Sequence, residues 1–66
     1  MQEVPEINSV WIHTSGTEPY IVLLITNLDA TKDDYPVTVV YQGTDGKVWS
    51  RKLSDWHRSM TPKNVP

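Results

Sequence analysis

Val37-Thr38-Val39-Val40-Tyr41-Gln42-Gly43-Thr44-Asp45-Gly46-Lys47-Val48-Trp49-Ser50-Arg51-Lys52-Leu53 is the stretch on which the fold is decided. Two runs rich in β-branched and aromatic residues, Val37 to Gln42 and Lys47 to Leu53, flank Gly43-Thr44-Asp45-Gly46. Asp-Gly between such runs is a strong hairpin signal, because the glycine supplies the positive φ that a tight or bulged turn requires. Upstream, Tyr20 to Thr26 is nearly all apolar. That pattern marks a central strand covered on both faces, and it leaves open which parity faces the core. Ser9 to His13 alternates, with Val10 and Ile12 on one side and Trp11 and His13 on the other. Thr14-Ser15-Gly16-Thr17 turns the chain between these two strands, and Asn27 to Asp34 reads as a polar loop.

Downstream of the hairpin, Ser54-Asp55-Trp56-His57-Arg58-Ser59-Met60 reads as one helical turn. Ser54 is the expected cap, Asp55 complements the positive end of the helix dipole, and Thr61-Pro62 ends the turn. Leu53, Trp56 and Met60 lie three and four positions apart and share one face. The expected role of this turn is to close an open edge or end of the sheet. Residues 1–7 are then a loose lead-in, 8–60 a single domain and 61–66 a tail.

Only a strongly bent sheet can bury both faces of the second strand in so short a chain. The expectation is an all-β fold: a small SH3-like barrel of four to five short antiparallel strands, with one short helical turn near the C-terminus. Its expected core is Val10, Ile12, Ile21, Leu23, Ile25, Val37, Val39, Val48, Leu53 and Trp56. The 66 residues are 38% hydrophobic and 21% charged, as in one ordinary globular domain. Without cysteine there are no disulfides, thiolate zinc sites or cysteine nucleophiles. A net charge of −2 argues against a generic phosphate-binding footprint. Ile21-Val22-Leu23-Leu24-Ile25, the longest apolar run, falls far short of the roughly 20 residues of a spanning helix. The start at Met1 carries neither a basic nor an apolar signal segment. The expectation is a cytoplasmic protein that does not act on membranes.

Tyr35-Pro36-Val37-Thr38-Val39-Val40-Tyr41 through Val48-Trp49-Ser50-Arg51-Lys52-Leu53-Ser54-Asp55-Trp56 resembles a family of short bacterial and phage domains of unknown function. Members of that family open with a strand, a Lys-Gly or similar turn and a Tyr-x-Val strand. They end with a V-V-Y strand, a small turn and a W-V-R-P-L-x-x-F signature. Val39-Val40-Tyr41 matches the V-V-Y strand, Trp49, Arg51 and Leu53 match the signature, and Trp56 stands at its aromatic. His13 to Val22 fits the opening less closely. Lys52 replaces the signature proline, Asn27 stands where a histidine is usual, and the 27–34 loop lacks the Ser-Glu-Thr segment. The resemblance covers about 50 residues. It implies an SH3-like small barrel of phage or prophage origin and no established activity.

The residues give little reason to expect an enzyme. His13, His57 and Asp55 show no metal-ligand spacing, and Asp29, Asp33 and Asp34 do not form a calcium loop. Ser54, Asp55, His57 and Ser59 supply triad residue types in one local segment, not the distant segments that triad geometry joins. No catalytic activity, metal or cofactor is expected. The aromatics say more, since three Trp and three Tyr exceed what so small a core holds. In the fourth strand Trp49, Arg51 and Leu53 share a parity. Leu53 belongs inside and Arg51 cannot be buried unpaired at low cost, so a bend or bulge near Ser50–Lys52 is expected. It would turn Trp11, Tyr41, Trp49 and Arg51 toward one shallow partner-binding surface.

The expected function is therefore a non-enzymatic protein or peptide interaction module. The alternative is a nucleic-acid-binding accessory protein. Glu3, Glu6, Glu18, Asp29, Asp33 and Asp34 precede residue 35, whereas Lys47, Arg51, Lys52 and Arg58 fall within 47–58 among Trp49, Trp56 and His57. A monomer or a weak homodimer pairing through an exposed strand edge completes the expectations.

Overall fold

The computed structural model describes residues 3–63. They form β1 (Val10–His13), β2 (Pro19–Thr26), β3 (Thr38–Gly43), β4 (Val48–Lys52), α1 (Leu53–Ser59) and β5 (Met60–Pro62). The strands make one antiparallel sheet in the order β4-β3-β2-β1-β5, so β2 is the middle strand, as its apolar run demands. β4 and β5 do not pair, and α1 leads from one to the other. The result is an all-β, SH3-like sheet that curls round its core without closing into a complete barrel.

The β3–β4 turn is the bulged kind. Gly43 N–H donates to Lys47 O at 3.0 Å and Gly46 N–H to Gly43 O at 3.1 Å, with Gly46 at φ 83°. The Asp45 carboxylate accepts the Lys47 N–H at 3.0 Å and fixes the loop. Beyond it the β3–β4 register runs without a shift from Gln42↔Val48 to Thr38↔Lys52. Of the bend or bulge expected near Ser50–Lys52, no bulge is present. The chain resolves the conflict by leaving the strand at Leu53, which opens α1 and turns inward.

The bulge lies instead in β2. Val22 faces Tyr41 and Leu24 faces Val40, so one extra residue is accommodated at Leu23. This settles the parity of β2 in an unexpected way, since both parities face inward in turn. Tyr20 and Val22 point to the core before the bulge, and Ile25, opposite Val39, does so after it. Leu24 is left on the outer face, 46% exposed.

The core is Trp11, Val22, Val39, Tyr41, Leu53, Trp56 and Met60, with Tyr20, Ile25 and Val37 packed against it. The expected core is corrected at several positions. Val10 and Val48 are exposed, and Ile12, Ile21 and Leu23 are only half-buried. The inner face takes the rings Trp11, Tyr41 and Trp56 together with the fully buried Val22 and Val39. Trp56 is fully buried and meets Trp11 edge-on at 5.2 Å and Tyr41 at 5.0 Å.

The helical turn also shifts by a residue. Lys52 is the cap, and no side chain caps the helix, so Ser54 does not play that part. The first helical N–H, of Leu53, goes instead to Val37 O at 2.8 Å. Thr61 and Pro62, read as tail, belong to β5 opposite Ile12 and Trp11. In the lead-in, Pro5 is buried and His57 Nε2 meets the Glu3 carbonyl. Residues 1–2 and 64–66 of the lead-in and tail lie outside the described residues.

Leu53→Ala should cost about 2–5 kcal/mol and Trp56→Ala about 3–5 kcal/mol. A single small core supplies only about 3–5 kcal/mol in total, so both variants are expected largely unfolded in a urea titration followed by circular dichroism. Gly46→Val should lower the midpoint well beyond Thr44→Val, because a β-branched residue at φ 83° costs about 1–2 kcal/mol. Equal midpoints for those two variants would contradict the turn described above.

Candidate functional site

Antiparallel register decides which side chains meet on the inner face. Tyr41 on β3 is directly opposite Trp49 on β4, and Val39 is opposite Arg51. Cross-strand partners point to the same side, so Trp49 and Arg51 share the face of Tyr41 but stand on the sheet's open margin. His13 pairs with Met60 across β1 and β5 and approaches from the other side. These residues and Tyr20 line a cleft of about 210 Å³.

Tyr41 is buried beneath the cleft, with Tyr20 edge-on at 5.4 Å. Trp49 forms a wall and is 52% exposed. The half-buried Arg51 donates from Nε to the Tyr41 hydroxyl at 3.4 Å and from Nη1 to Ser59 Oγ at 3.3 Å. Both bonds are long and go to neutral oxygens. The sole ion pair among the described residues joins Arg58 to Asp55 at 3.0 Å. Arg51 therefore holds its charge beside the cleft with no carboxylate partner among the described residues.

The cleft continues into a second depression of about 300 Å³ that shares Tyr20 and Trp49 and adds Glu18, Gly43, Thr44 and Asp45. Thr44 Oγ1 donates to Glu18 Oε2 at 3.0 Å, which ties the hairpin to the β1–β2 loop. Gly43 packs closely here: a Cβ at that position would lie 3.1 Å from the Tyr20 ring, which would have to give by a few tenths of an ångström. The groove is thus cationic at the Arg51 end and acidic at the Glu18 and Asp45 end, with aromatic surface between.

Of the four residues expected on one surface, Tyr41, Trp49 and Arg51 line this cleft. Trp11 does not. It is only 9% exposed, packs edge-on against Trp56 and His57, and donates its indole N–H to Ser9 Oγ at 2.9 Å. Alternation on so short a strand could not show that α1 would cover this ring. Tyr20 and His13, outside the four residues expected on this surface, complete its lining with Met60. For Tyr20 the available signal was its place at the start of the central strand.

The remaining chemistry-bearing groups are engaged in local structure. His13 Nδ1 takes the Ser15 N–H at 3.1 Å and lies 2.7 Å from Ser15 Oγ, so the imidazole holds the turn after β1. His57 packs edge-on against Trp11, with ring centroids 5.9 Å apart, and does not line the cleft. Among the described residues, no three His, Asp or Glu side chains are grouped to hold a metal ion, and no helix is long and apolar enough to cross a membrane. The chain matches no family model, and neither a curated protein nor a solved structure is found similar to it.

Of the three tryptophans, only Trp49 should be open to a dissolved quencher. Acrylamide is expected to quench one component of the emission, and Trp49→Phe should abolish that component. Trp49→Ala should destabilise by less than about 1.5 kcal/mol, against about 3–5 kcal/mol for Trp11→Ala. The reverse order would place Trp49 in the core and remove it from the site.

Proposed function

We propose that the chain is a non-enzymatic interaction module that takes a segment of a protein partner against Tyr20, Tyr41, Trp49 and Arg51. The observation that carries this reading is Arg51 beside the half-exposed Trp49, a cation with no carboxylate partner among the described residues next to an aromatic wall. Tyr and Trp anchor peptides well because they bring large contact area with few rotatable bonds. The cleft is open rather than enclosed, which suits side chains of a partner better than a metabolite, since small-molecule sites usually bury most of the ligand's surface. The resemblance to short bacterial and phage domains directs the search for partners to host and phage proteins.

A nucleic-acid reading rests on Lys47, Arg51, Lys52 and Arg58 and has weaker support. Alternation along β4 sends Arg51 to the inner face and Lys52 to the outer one, and Arg58 is engaged with Asp55. The basic residues of 47–58 therefore do not converge on one surface.

Affinity capture from bacterial lysate, compared between wild type, Trp49→Ala and Lys52→Gln/Arg58→Gln, tests the choice. The expected result is a set of bound proteins retained by the double variant, lost with Trp49→Ala, and only modestly reduced by raising salt from 50 to 200 mM. Nucleic acid in the bound fraction, released steeply by the same salt step, would overturn the proposal in favour of phosphate contacts. Capture unchanged in Trp49→Ala would also overturn it.

A further inference from the structure

The cleft borders a strand whose outer backbone edge pairs with no strand among the described residues. In an antiparallel ladder, residues alternate between those that exchange hydrogen bonds with the neighbour and those whose N–H and C=O point away. Gly43 and Lys47 are a bonded pair, as the Gly43 N–H to Lys47 O bond shows. Counting along the unbroken register makes Tyr41↔Trp49 and Val39↔Arg51 the bonded pairs of β3 and β4. The N–H and C=O groups of Val48 and Ser50, and the N–H of Lys52, therefore point away from β3. β4 is a margin of the sheet, so no strand among the described residues receives them.

The other margin is protected. β5 is only three residues long and ends in Pro62, which has no N–H to offer. β4 has no proline, no bulge and, among the described residues, no covering strand, and Val48, Trp49, Ser50 and Lys52 are all exposed. Its inward side chains, Trp49 and Arg51, are the ones that wall the cleft. From Lys47 to Ser54 the chain carries Lys47, Arg51 and Lys52 and no acid.

Resting on the interaction reading above, we infer that the partner is an acidic peptide segment that binds in extended form, as a sixth strand antiparallel to β4. Its backbone pairs with Val48 and Ser50. The peptide residues opposite Trp49 and Arg51 occupy non-bonded positions, where facing Cα atoms approach to about 4.5 Å and side chains touch most closely. An apolar side chain there lies on Trp49, and a carboxylate reaches the Arg51 guanidinium. Antiparallel direction places the acid two residues before the apolar side chain. The recognised pattern is Asp or Glu, any residue, then an apolar residue. Main-chain bonds supply affinity and the two alternate side chains supply choice.

The probe is the blocked heptapeptide acetyl-Thr-Thr-Glu-Thr-Val-Thr-Thr-amide, titrated to millimolar concentration into the full chain labelled with nitrogen-15. Two variants of the peptide accompany it, one with Gln for Glu and one with alternate backbone nitrogens methylated to prevent pairing. The expected result is a shift of the Trp49 indole signal together with slower hydrogen exchange at the Val48 and Ser50 amides. The methylated peptide should give neither effect. The Gln peptide should bind about fivefold more weakly, the range for a solvent-exposed ion pair, and Arg51→Gln should erase that difference. Unchanged exchange at Val48 and Ser50 with a shifted Trp49 indole overturns strand addition while the cleft remains the binding site. No response at Trp49, Val48 or Ser50 overturns both readings. Equal binding of the Glu and Gln peptides to the wild-type chain overturns the acidic preference.

Discussion

Trp56, edge-on to Trp11 and Tyr41 at once, is the contact on which the other elements depend. It is fully buried, and it brings together β1, β3 and the helix that follows β4. Edge-to-face pairs add about 0.5–1.5 kcal/mol each beyond the area they bury, a large share in a domain of this size. The indole N–H of Trp56 is buried without a hydrogen-bond partner among the described residues. An unmatched donor costs about 1–3 kcal/mol, so the packing of this ring must outweigh that cost. Leu53 and Met60, at the two ends of the same segment, complete the plug that stands in for closure of the sheet.

Placing three rings on one inner face has a consequence for the margin of the sheet. Once Trp56 fills the centre beside Tyr41, little interior is left for the inward residues of β4. Trp49 and Arg51 keep the correct parity for burial and yet remain at the surface. The cleft is thus a product of core geometry: a face built for the interior continues past the point where the interior ends. The β2 bulge acts in the same direction, because it exchanges Leu24 for Ile25 on the inner side and sharpens the curl.

The parts of this architecture written in local chemistry were legible in the sequence. The Asp45-Gly46 hairpin, the apolar middle strand and the Leu53, Trp56, Met60 spacing each depend on neighbours within a few positions. The β2 bulge was not legible, since a run apolar at nearly every position carries no mark of where its parity reverses. β5 was missed because three residues ending in proline have no strand signal of their own. Their conformation is imposed by pairing with β1, nearly the whole chain away. The same distance explains Trp11, whose burial depends on α1. The juxtaposition of Tyr41, Trp49 and Arg51 follows from strand alternation and hairpin register alone. The bulge invoked at Ser50–Lys52 was unnecessary, since the helix begins one residue later.

The pairing of β1 with β5 sets the order of events during synthesis. Trp11 emerges early, but the strand that lies beside it, and Met60 with it, are among the last described residues to be made. Until residues 60–62 clear the ribosome, the meander of β1 to β4 has no lid, and Trp11, Tyr41 and Val22 have no complete interior to enter. Contacts of such long sequence separation are slow to form, because loop entropy is lost before they contribute. The aromatic face of β1 to β4 therefore stays open until the segment that pairs with β1 has been made.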